Sequence, residues 1–273
     1  MKLAGKIAVV TGGANGIGEA LCRRFAAEGA EAVMVLDLEQ DNAERVAADI
    51  SAATKAEAFG CDVANEAQLT GILQGIEEKY GRIDVMFSNA GVGSADGEGG
   101  IAGPGATSDV WQRCWEINVM AHVYAARQVL PGMVARGEGY IASTASAAGV
   151  LNQIGSSVYG TTKHAAVGFA ESVAIEHGGQ GIKVSVLCPQ AVATRMIANA
   201  GDDGGVQGGD GIATVDQVAD CVIKAMDEEK FMVLPHEEVL IYMQRKTSDY
   251  DRWIGGMQRL KARFQQGLKS QQQ

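Results

Sequence analysis

Tyr159 and Lys163 lie four residues apart in a segment with a helical pattern, and Ser146 precedes the tyrosine by thirteen residues. Side chains at positions i and i+4 project from the same face of a helix, so the ammonium of Lys163 can lie close to the phenol of Tyr159. A neighbouring positive charge favours the ionised form of a phenol. Tyr159 is therefore a candidate for transferring a proton near neutral pH.

A glycine-rich segment near the N-terminus, residues 11–18, reads Thr-Gly-Gly-Ala-Asn-Gly-Ile-Gly. It follows an apolar run and opens a predicted helix. At such a turn, bare backbone N–H groups and the helix N-terminus can bind the pyrophosphate of a dinucleotide. The glycine spacing is Gly-x-x-x-Gly-x-Gly and differs from the general Gly-x-Gly-x-x-Gly pattern. Together with the tyrosine and lysine, this turn predicts hydride transfer between a nicotinamide and an alcohol or ketone.

Asp37 ends the apolar run that follows the glycine-rich segment. A carboxylate at this place can accept hydrogen bonds from the adenosine ribose hydroxyls and would repel a 2′-phosphate. Basic side chains that could bind a phosphate are absent from the neighbouring positions Ala14, Asn15, Leu38 and Glu39. The sequence therefore predicts NAD in preference to NADP, although Asp37 taken alone could equally be a helix N-cap or a solvated strand end.

Short apolar runs alternate with helical stretches along most of the chain. Continuous apolar strands separated by helices are typical of a parallel sheet covered on both faces. The pattern predicts an α/β fold with a doubly wound parallel sheet of about seven strands and helices on both faces. The predicted strands cover residues 7–10, 32–36, 57–61, 83–87, 139–142, 184–187 and 231–234, and the predicted helices cover residues 16–29, 41–53, 66–80, 108–135, 157–178 and 215–228.

Composition limits the possible partners. The 273 residues carry a formal net charge of -10, which disfavours binding to nucleic acid or to an anionic membrane surface. No apolar run reaches the ~20 residues of a membrane helix, and the N-terminus has no signal-peptide core, so we expect a cytoplasmic protein with a small-molecule substrate. The five cysteines and four histidines lack metal-ligand spacing, so we expect no metal and no disulfide framework.

A length of 273 residues fits a single domain over residues 1–273. Two glycine-rich segments, 91–105 and 201–211, interrupt the alternation of strands and helices. The second segment follows a strand at the edge where ligands bind in open α/β sheets, so we expect a substrate lid at about residues 195–214. The alternative is an ordinary surface linker. The tail, residues 248–273, has a helical pattern whose apolar face should pack on the body or on a partner subunit.

These features resemble the short-chain dehydrogenase/reductase family, in its form with a Thr-Gly-x-x-x-Gly-x-Gly turn, a Tyr-x-x-x-Lys pair and an upstream serine. The resemblance covers about residues 3–240 and implies a Rossmann-type fold with an exchangeable NAD. Further motifs occur in the family's order: Asp62-Val63, Asn89-Ala90-Gly91, Asn118, and Pro189 to Thr194.

The resemblance also implies where each part of the cofactor is bound. Asp62 and Val63 should contact the adenine, residues 89–91 should border the cofactor, and Val192 and Thr194 should hold the nicotinamide carboxamide. The complete predicted cofactor site is Gly12, Asn15, Gly16, Ile17, Gly18, Asp37, Leu38, Asp62, Val63, Asn89, Ala90, Gly91, Tyr159, Lys163, Pro189, Val192 and Thr194.

The predicted catalytic set is Asn118, Ser146, Tyr159 and Lys163. An unperturbed tyrosine has a pKa of about 10, so Tyr159 needs the positive charge of Lys163 and of an oxidised nicotinamide to act as a base. Ser146 should hydrogen-bond the reacting oxygen. Lys163 should also bind the ribose hydroxyls, and Asn118 should hold a water that passes the proton to solvent.

Two residues depart from the family's usual sequence: Ser88 stands where Asn is commoner, and Gln190 stands where Gly is usual. Gln190 would place a side chain near the substrate. Small and apolar residues in the expected pocket favour an apolar secondary alcohol or its ketone, and Arg195 could anchor an acidic group. The predicted substrate-binding residues are Ser146, Ala148, Gln153, Tyr159, Gln190 and Met196.

Other functions on the same fold are a catalytically silent NAD-binding regulator, an NADP-preferring carbonyl reductase, and an isomerase or dehydratase with bound NAD. The presence of the serine, tyrosine and lysine together argues against the first. The chain lacks the long extra substrate domain of the last group. The resemblance further implies a homotetramer, or alternatively a homodimer, built through the helices at 108–135 and 157–178.

Overall fold

The computed structural model describes residues 1–94, 105–197 and 209–271, with side chains described up to Gln265. In this part of the chain seven strands form one sheet in the order β3-β2-β1-β4-β5-β6-β7. Every pairing between neighbouring strands is parallel. The strands are β1 (Ile7–Thr11), β2 (Ala32–Asp37), β3 (Lys55–Gly60), β4 (Val85–Ser88), β5 (Gly139–Thr144), β6 (Ile182–Leu187) and β7 (Met232–Val233).

Helices cover both faces of the sheet. Strands buried on both sides must be apolar along their whole length, and β1 is buried at every position. The predicted doubly wound α/β fold is therefore confirmed. The helices are α1 (Gly16–Ala27), α2 (Gln40–Ile50), α3 (Glu66–Tyr80), α4 (Ser108–Trp115), α5 (Ala121–Arg136), α6 (Ala148–Leu151), α7 (Ser157–His177), α8 (Val215–Glu228), α9 (Glu238–Ser248) and α10 (Tyr250–Gln271).

The strand order reverses between β1 and β4. From β1 the chain proceeds outward through β2 and β3, and it then returns to add β4 on the other side of β1. The loops that follow β1 and β4 consequently run in opposite directions, which leaves a crevice at the carboxyl ends of these strands. The glycine-rich turn follows β1 and residues 89–91 follow β4, so both predicted cofactor segments lie at this crevice.

The helices differ from the sequence prediction in three places. The stretch predicted as one helix over 108–135 contains a single π-helical turn, Glu116–Met120, between α4 and α5. The short helix α6 begins four residues after the end of β5, in a segment without a helical pattern of apolar residues. The region before residue 248 forms α9. Only one side chain of this helix, Val239, is buried, so the sequence has no clear apolar periodicity from which the helix could be predicted.

Most of the predicted substrate lid lies outside the described residues, since the structure describes only the parts of it up to residue 197 and from residue 209. The same holds for residues 95–104 of the other glycine-rich segment. In the described part of the chain no helix has both the length and the apolar character needed to cross a membrane.

Candidate functional site

Ser146, Tyr159 and Lys163 meet beyond the carboxyl end of β5. The Oγ of Ser146 accepts a hydrogen bond from the N–H of Ala148 at 3.1 Å, and its hydroxyl donates to the carbonyl of Pro189 at 3.4 Å. The phenol of Tyr159 is hydrogen-bonded to the same serine. The Nζ of Lys163 lies 5.6 Å from the centre of the Tyr159 ring. The three side chains that the sequence placed together are therefore neighbours.

Burial governs the titration of both α7 side chains. It raises the pKa of the Tyr159 phenol, and the hydrogen bond with Ser146 acts in the opposite direction. Burial also lowers the pKa of Lys163 to about 8. The protein's own groups thus do not produce the lowered phenol pKa expected from the tyrosine–lysine spacing. The expectation that Tyr159 is ionised near neutral pH therefore stays a prediction.

A continuous set of hydrogen bonds ties Lys163 to the glycine-rich turn. The Nζ of Lys163 donates to the carbonyl of Thr144 at 2.9 Å, and the hydroxyl of Thr144 donates to Asn89 Oδ1 at 2.9 Å. The side-chain amide of Asn89 donates in turn to the carbonyl of Gly12 at 3.2 Å, and its backbone N–H donates to the hydroxyl of Thr11 at 3.0 Å. Sequence reasoning missed Thr144 because its role depends on contacts between separate elements.

Asn118 lies in the π-helical turn between α4 and α5 and is completely buried. Its Oδ1 accepts from the N–H of Val92 at 2.9 Å, while its Nδ2 donates to the carbonyl of Val92 at 3.0 Å and to the hydroxyl of Thr162 at 3.1 Å. Single π-helical turns inside α-helices often occur at functional sites. The side chain of Asn118 therefore fixes the backbone after β4, and its role in holding a water stays a prediction.

The glycine-rich turn leaves no room for side chains at its centre. Gly12 has a φ of +62°, and a Cβ there would lie 2.9 Å from the Cα of Ala90. Gly16 has a φ of +54°, and a Cβ there would lie 3.1 Å from a methyl carbon of Thr194. Helix α1 begins at Gly16, and the side chain of the N-cap residue Asn15 makes no capping hydrogen bond. The free N–H groups of this helix end fit a pyrophosphate.

Asp37 lies at the end of β2 with both carboxylate oxygens engaged by backbone. Oδ2 accepts from the N–H of Ala14 at 3.0 Å, and Oδ1 accepts from the N–H of Glu39 at 3.0 Å. Arg195, considered above as an anchor for an acidic substrate, lies 3.6 Å from a carboxylate oxygen of Glu39. That cation is therefore on the side of the crevice where the adenosine is expected.

Asp62 and Val63 line the same crevice at the end of β3. The guanidinium of Arg113, on α4, lies 3.3 Å from a carboxylate oxygen of Asp62. Val63 is buried, whereas Leu38, which lines the same cleft, is 67% exposed. Arg113 was not identified from the sequence, because a lone arginine on a polar helix carries no signal of its position.

The crevice forms a cleft of about 360 Å³. Every residue of the predicted cofactor site except Gly18 lines it, and so does Met196 of the predicted substrate site. A Cβ at Gly18 would lie 1.9 Å from the carbonyl oxygen of Gly12, so this glycine allows α1 to pack on the turn. The residues that line the cleft and lie outside the predicted cofactor and substrate-binding sets are Cys61, Val92, Arg113, Ile117, Thr144, Ala145, Arg195 and Ile197.

Four predicted substrate-binding residues do not line this cleft: Ser146, Ala148, Gln153 and Gln190. Ala148 is buried in α6, and the amide of Gln153 donates to the carbonyl of Ile154 at 3.5 Å. Gln190 donates instead to a carboxylate oxygen of Asp210 at 2.9 Å. Their contact with a substrate stays a prediction. Among the described residues, no group of three His, Cys, Asp or Glu side chains is placed to hold a metal ion.

Comparison with known proteins agrees with this geometry. The family model for short chain dehydrogenases matches residues 6–204. The chain is 34% identical over 196 residues to the meso-2,3-butanediol dehydrogenase of Serratia marcescens. The match covers 72% of this chain and 75% of that relative.

Two solved structures share the fold along most of the chain. A short chain dehydrogenase/reductase from Burkholderia phymatum in complex with NAD has a TM-score of 0.81 and 25% identity, and the match covers 92% of this chain and 96% of that one. The L-sorbose reductase of Gluconobacter frateurii, complexed with NADPH and L-sorbose, has a TM-score of 0.75 and 25% identity, covering 86% and 95% of the two chains.

Proposed function

The chain belongs to the short-chain dehydrogenase family, and we propose that it is an NAD-dependent oxidoreductase that interconverts an apolar secondary alcohol and its ketone. The observation that carries this proposal is the contact between Ser146 and Tyr159, with Lys163 beside the phenol, at the end of a cleft suited to a dinucleotide. A protein that only binds a nucleotide has no need of a positioned phenol.

The residues of the cleft fit a nicotinamide dinucleotide. The turn at Gly12 and Gly16 excludes side chains, and the uncapped start of α1 offers N–H groups to a pyrophosphate. Asp37 would accept hydrogen bonds from the adenosine ribose, and Asp62 with Val63 would border the adenine. When bound, the nicotinamide supplies the acceptor or donor of the hydride.

Side chains of the protein would transfer the proton that accompanies the hydride. In alcohol oxidation, Tyr159 takes the proton of the substrate hydroxyl, and in ketone reduction it returns a proton to the carbonyl oxygen. Ser146 would donate a hydrogen bond to that oxygen and stabilise the charge that develops on it. Lys163, held by the carbonyl of Thr144, keeps a positive charge beside the phenol below a pH of about 8.

NAD is favoured over NADP by the position of Asp37. A carboxylate facing the ribose would repel a 2′-phosphate, and the backbone bonds at both oxygens hold it there. The two structural neighbours use different cofactors, since one is in complex with NAD and the other with NADPH. An NADP-preferring carbonyl reductase is therefore the second candidate, and Arg195 beside Glu39 is the observation that favours it.

We further propose a single catalytic domain over residues 1–273, in a cytoplasmic homotetramer or homodimer. Trp115 and Ile175 support the assembly, because 39% and 79% of these apolar side chains are exposed on α4 and α7. Continuity of one sheet from β3 to β7 supports the single domain.

Absorbance at the reduced-nicotinamide band tests the proposal. Purified protein and its Tyr159→Phe variant are mixed with NAD or NADP and with meso-2,3-butanediol, cyclohexanol and 1-phenylethanol as alcohol probes. We expect reduction of NAD by the unmodified protein alone. Faster reduction of NADP would overturn the assignment of Asp37. Binding of NAD without oxidation of any probe would support a catalytically silent regulator.

A further inference from the structure

Gln190 follows the proline whose carbonyl contacts the catalytic serine. The carbonyl of Pro189 accepts from the N–H of Ala147 at 2.8 Å and from the hydroxyl of Ser146 at 3.4 Å. Any displacement of the backbone at Pro189 and Gln190 therefore changes the position of Ser146. The contacts that hold Gln190 are consequently of interest for catalysis.

The segment that forms α9 holds Gln190 in two ways. The backbone N–H of Gln190 donates to Nδ1 of His236, which is buried just before α9, at 3.3 Å. The side-chain amide donates to Oδ2 of Asp210 at 2.9 Å, and the hydroxyl of Tyr242 on α9 donates to Oδ1 of the same carboxylate at 2.9 Å. We refer to Gln190, Asp210 and Tyr242 as the clasp.

Helix α9 also packs directly against the loop that carries Ser146. Ala147 and Leu151 form a buried cluster with Val239, and Tyr242 packs against this cluster. One turn beyond Tyr242, the Nζ of Lys246 donates to the carbonyl of Val150 at 2.6 Å. Helix α9 therefore contacts the serine's loop in two ways. It packs directly against α6, and through the clasp it is bonded to the segment after β6.

Two of the three residues of the clasp lie C-terminal to the region that the family model matches. The short chain dehydrogenase model matches residues 6–204, so Asp210 and Tyr242 lie beyond the matched region. A glycine at position 190 would have no side chain to bond with Asp210. The clasp thus couples a feature of this chain's C-terminal region to a catalytic residue.

We propose that Gln190, Asp210 and Tyr242 are positioning residues for Ser146, which they act on through the backbone at Pro189. The clasp makes α9 part of the catalytic apparatus. This inference rests on the proposed function for its effect on turnover. Its effect on the position of the serine does not depend on any substrate.

An exchange of charge between two partners tests the clasp. Gln190→Glu places two carboxylates face to face and should separate them. Adding Asp210→Asn restores a donor opposite the new carboxylate and leaves an oxygen to accept from Tyr242. A matched control is Gln128→Glu, because Gln128 on α5 donates to a carboxylate oxygen of Glu77 at 3.0 Å and neither residue lines the cleft.

Two measurements are made on the four proteins. The first is kcat and KM for NAD-linked oxidation of the alcohol that the wild type oxidises best. We expect Gln190→Glu to lower kcat about tenfold with little change in the KM for NAD, and the double variant to recover to within about twofold of wild type. Gln128→Glu should lower the thermal midpoint and leave kcat unchanged.

The second measurement is hydrogen–deuterium exchange of the peptide that contains the amides of Ala147 and Ala148. Gln190→Glu should speed exchange at these amides, and the double variant should restore their protection, because both bonds depend on Pro189 and Ser146. An unchanged kcat together with unchanged exchange in Gln190→Glu overturns the inference, as does a double variant that does not recover. If the wild type oxidises no alcohol, the proposed function fails, and the exchange measurement alone decides on the clasp.

Discussion

Asp37 and Arg45 both bond to the backbone of Ala14, one to its N–H and the other to its carbonyl. The N–H of Ala14 donates to Asp37 at 3.0 Å, and its carbonyl accepts from the guanidinium of Arg45 at 3.2 Å. Glu19 holds Arg45 with an oxygen–nitrogen distance of 2.8 Å, and this pairing with Arg45 is the main reason that the pKa of Glu19 is lowered. The end of the cleft that should receive the ribose therefore has a carboxylate facing it and a cation beside it.

Asp37→Ser should shift cofactor preference toward NADP. The carboxylate that repels a 2′-phosphate is removed, and Arg45, which donates to the carbonyl of Ala14, would be the cation expected to pair with the phosphate. We expect kcat/KM for NADP relative to NAD to rise about tenfold, ~1.4 kcal/mol, in steady-state assays of alcohol oxidation. Asp41→Ser, at an exposed position in the first turn of α2, is the matched control. Adding Arg45→Ala should remove the gain, and an unchanged preference in Asp37→Ser would contradict the assignment.

Ser146→Ala should move the pH dependence of alcohol oxidation to higher pH. The hydrogen bond between Ser146 and Tyr159 lowers the pKa of the phenol against the effect of burial, so removing the bond leaves the effect of burial less opposed. Because the ionised phenol is the base, the rising limb of kcat/KM should shift to higher pH.

The shift is measured from the midpoint of that limb, so it does not depend on the lower absolute rate of the variant. A variant with low activity but the wild-type midpoint would show that Ser146 affects the substrate and not the phenol. Lys163 sets an upper limit to the useful range, since it loses its charge above a pH of about 8.

His122 should make the protein sensitive to acid. The ring is buried on α5, neither nitrogen has a hydrogen-bond partner within the described structure, and burial lowers its pKa to about 3, helped by the charge of Lys163. The unfolded chain binds a proton at a pKa of about 6.5, so the folded state loses stability as the pH falls from 6.5 toward 3.

Replacement of His122 by Met should remove this loss. Relative to wild type, the free energy of unfolding of His122→Met should rise by ~2–3 kcal/mol between pH 7 and pH 4.5, since each pKa unit is worth ~1.4 kcal/mol. Urea unfolding at the two pH values measures it. His177→Met, at the end of α7, is the control and should show no such rise. Equal acid sensitivity in wild type and His122→Met would contradict the argument.

The sequence predicted those parts of the site whose geometry is local. Tyr159 and Lys163 are one helical turn apart, and the glycine turn is defined by its own backbone, so the joint order of these motifs along the chain indicates both. Thr144 and Arg113 reach the cleft from elements distant in sequence, and their positions follow from how the sheet and helices pack. Asp210 could not be recognised because a single carboxylate in a glycine-rich segment gives no indication that Gln190 and Tyr242 will meet it.

The buried amide of Asn118 should support cofactor binding through the backbone of Val92. Asn118→Asp keeps the oxygen that accepts from the Val92 N–H but replaces the Nδ2 donor with a second oxygen facing the Val92 carbonyl. Repulsion there should displace the chain after Gly91, which lines the cleft, so the Kd for NAD measured by calorimetry should rise about tenfold or more.

Thr162→Val separates this effect from a general loss of packing. It removes the other partner of the Asn118 amide and leaves both bonds to Val92 intact. We expect Thr162→Val to lower the thermal midpoint while keeping the Kd for NAD within about twofold of wild type. Equal losses of NAD affinity in the two variants would show that Asn118 acts through α7, on which Thr162 lies, and not through the strand end that borders the cofactor.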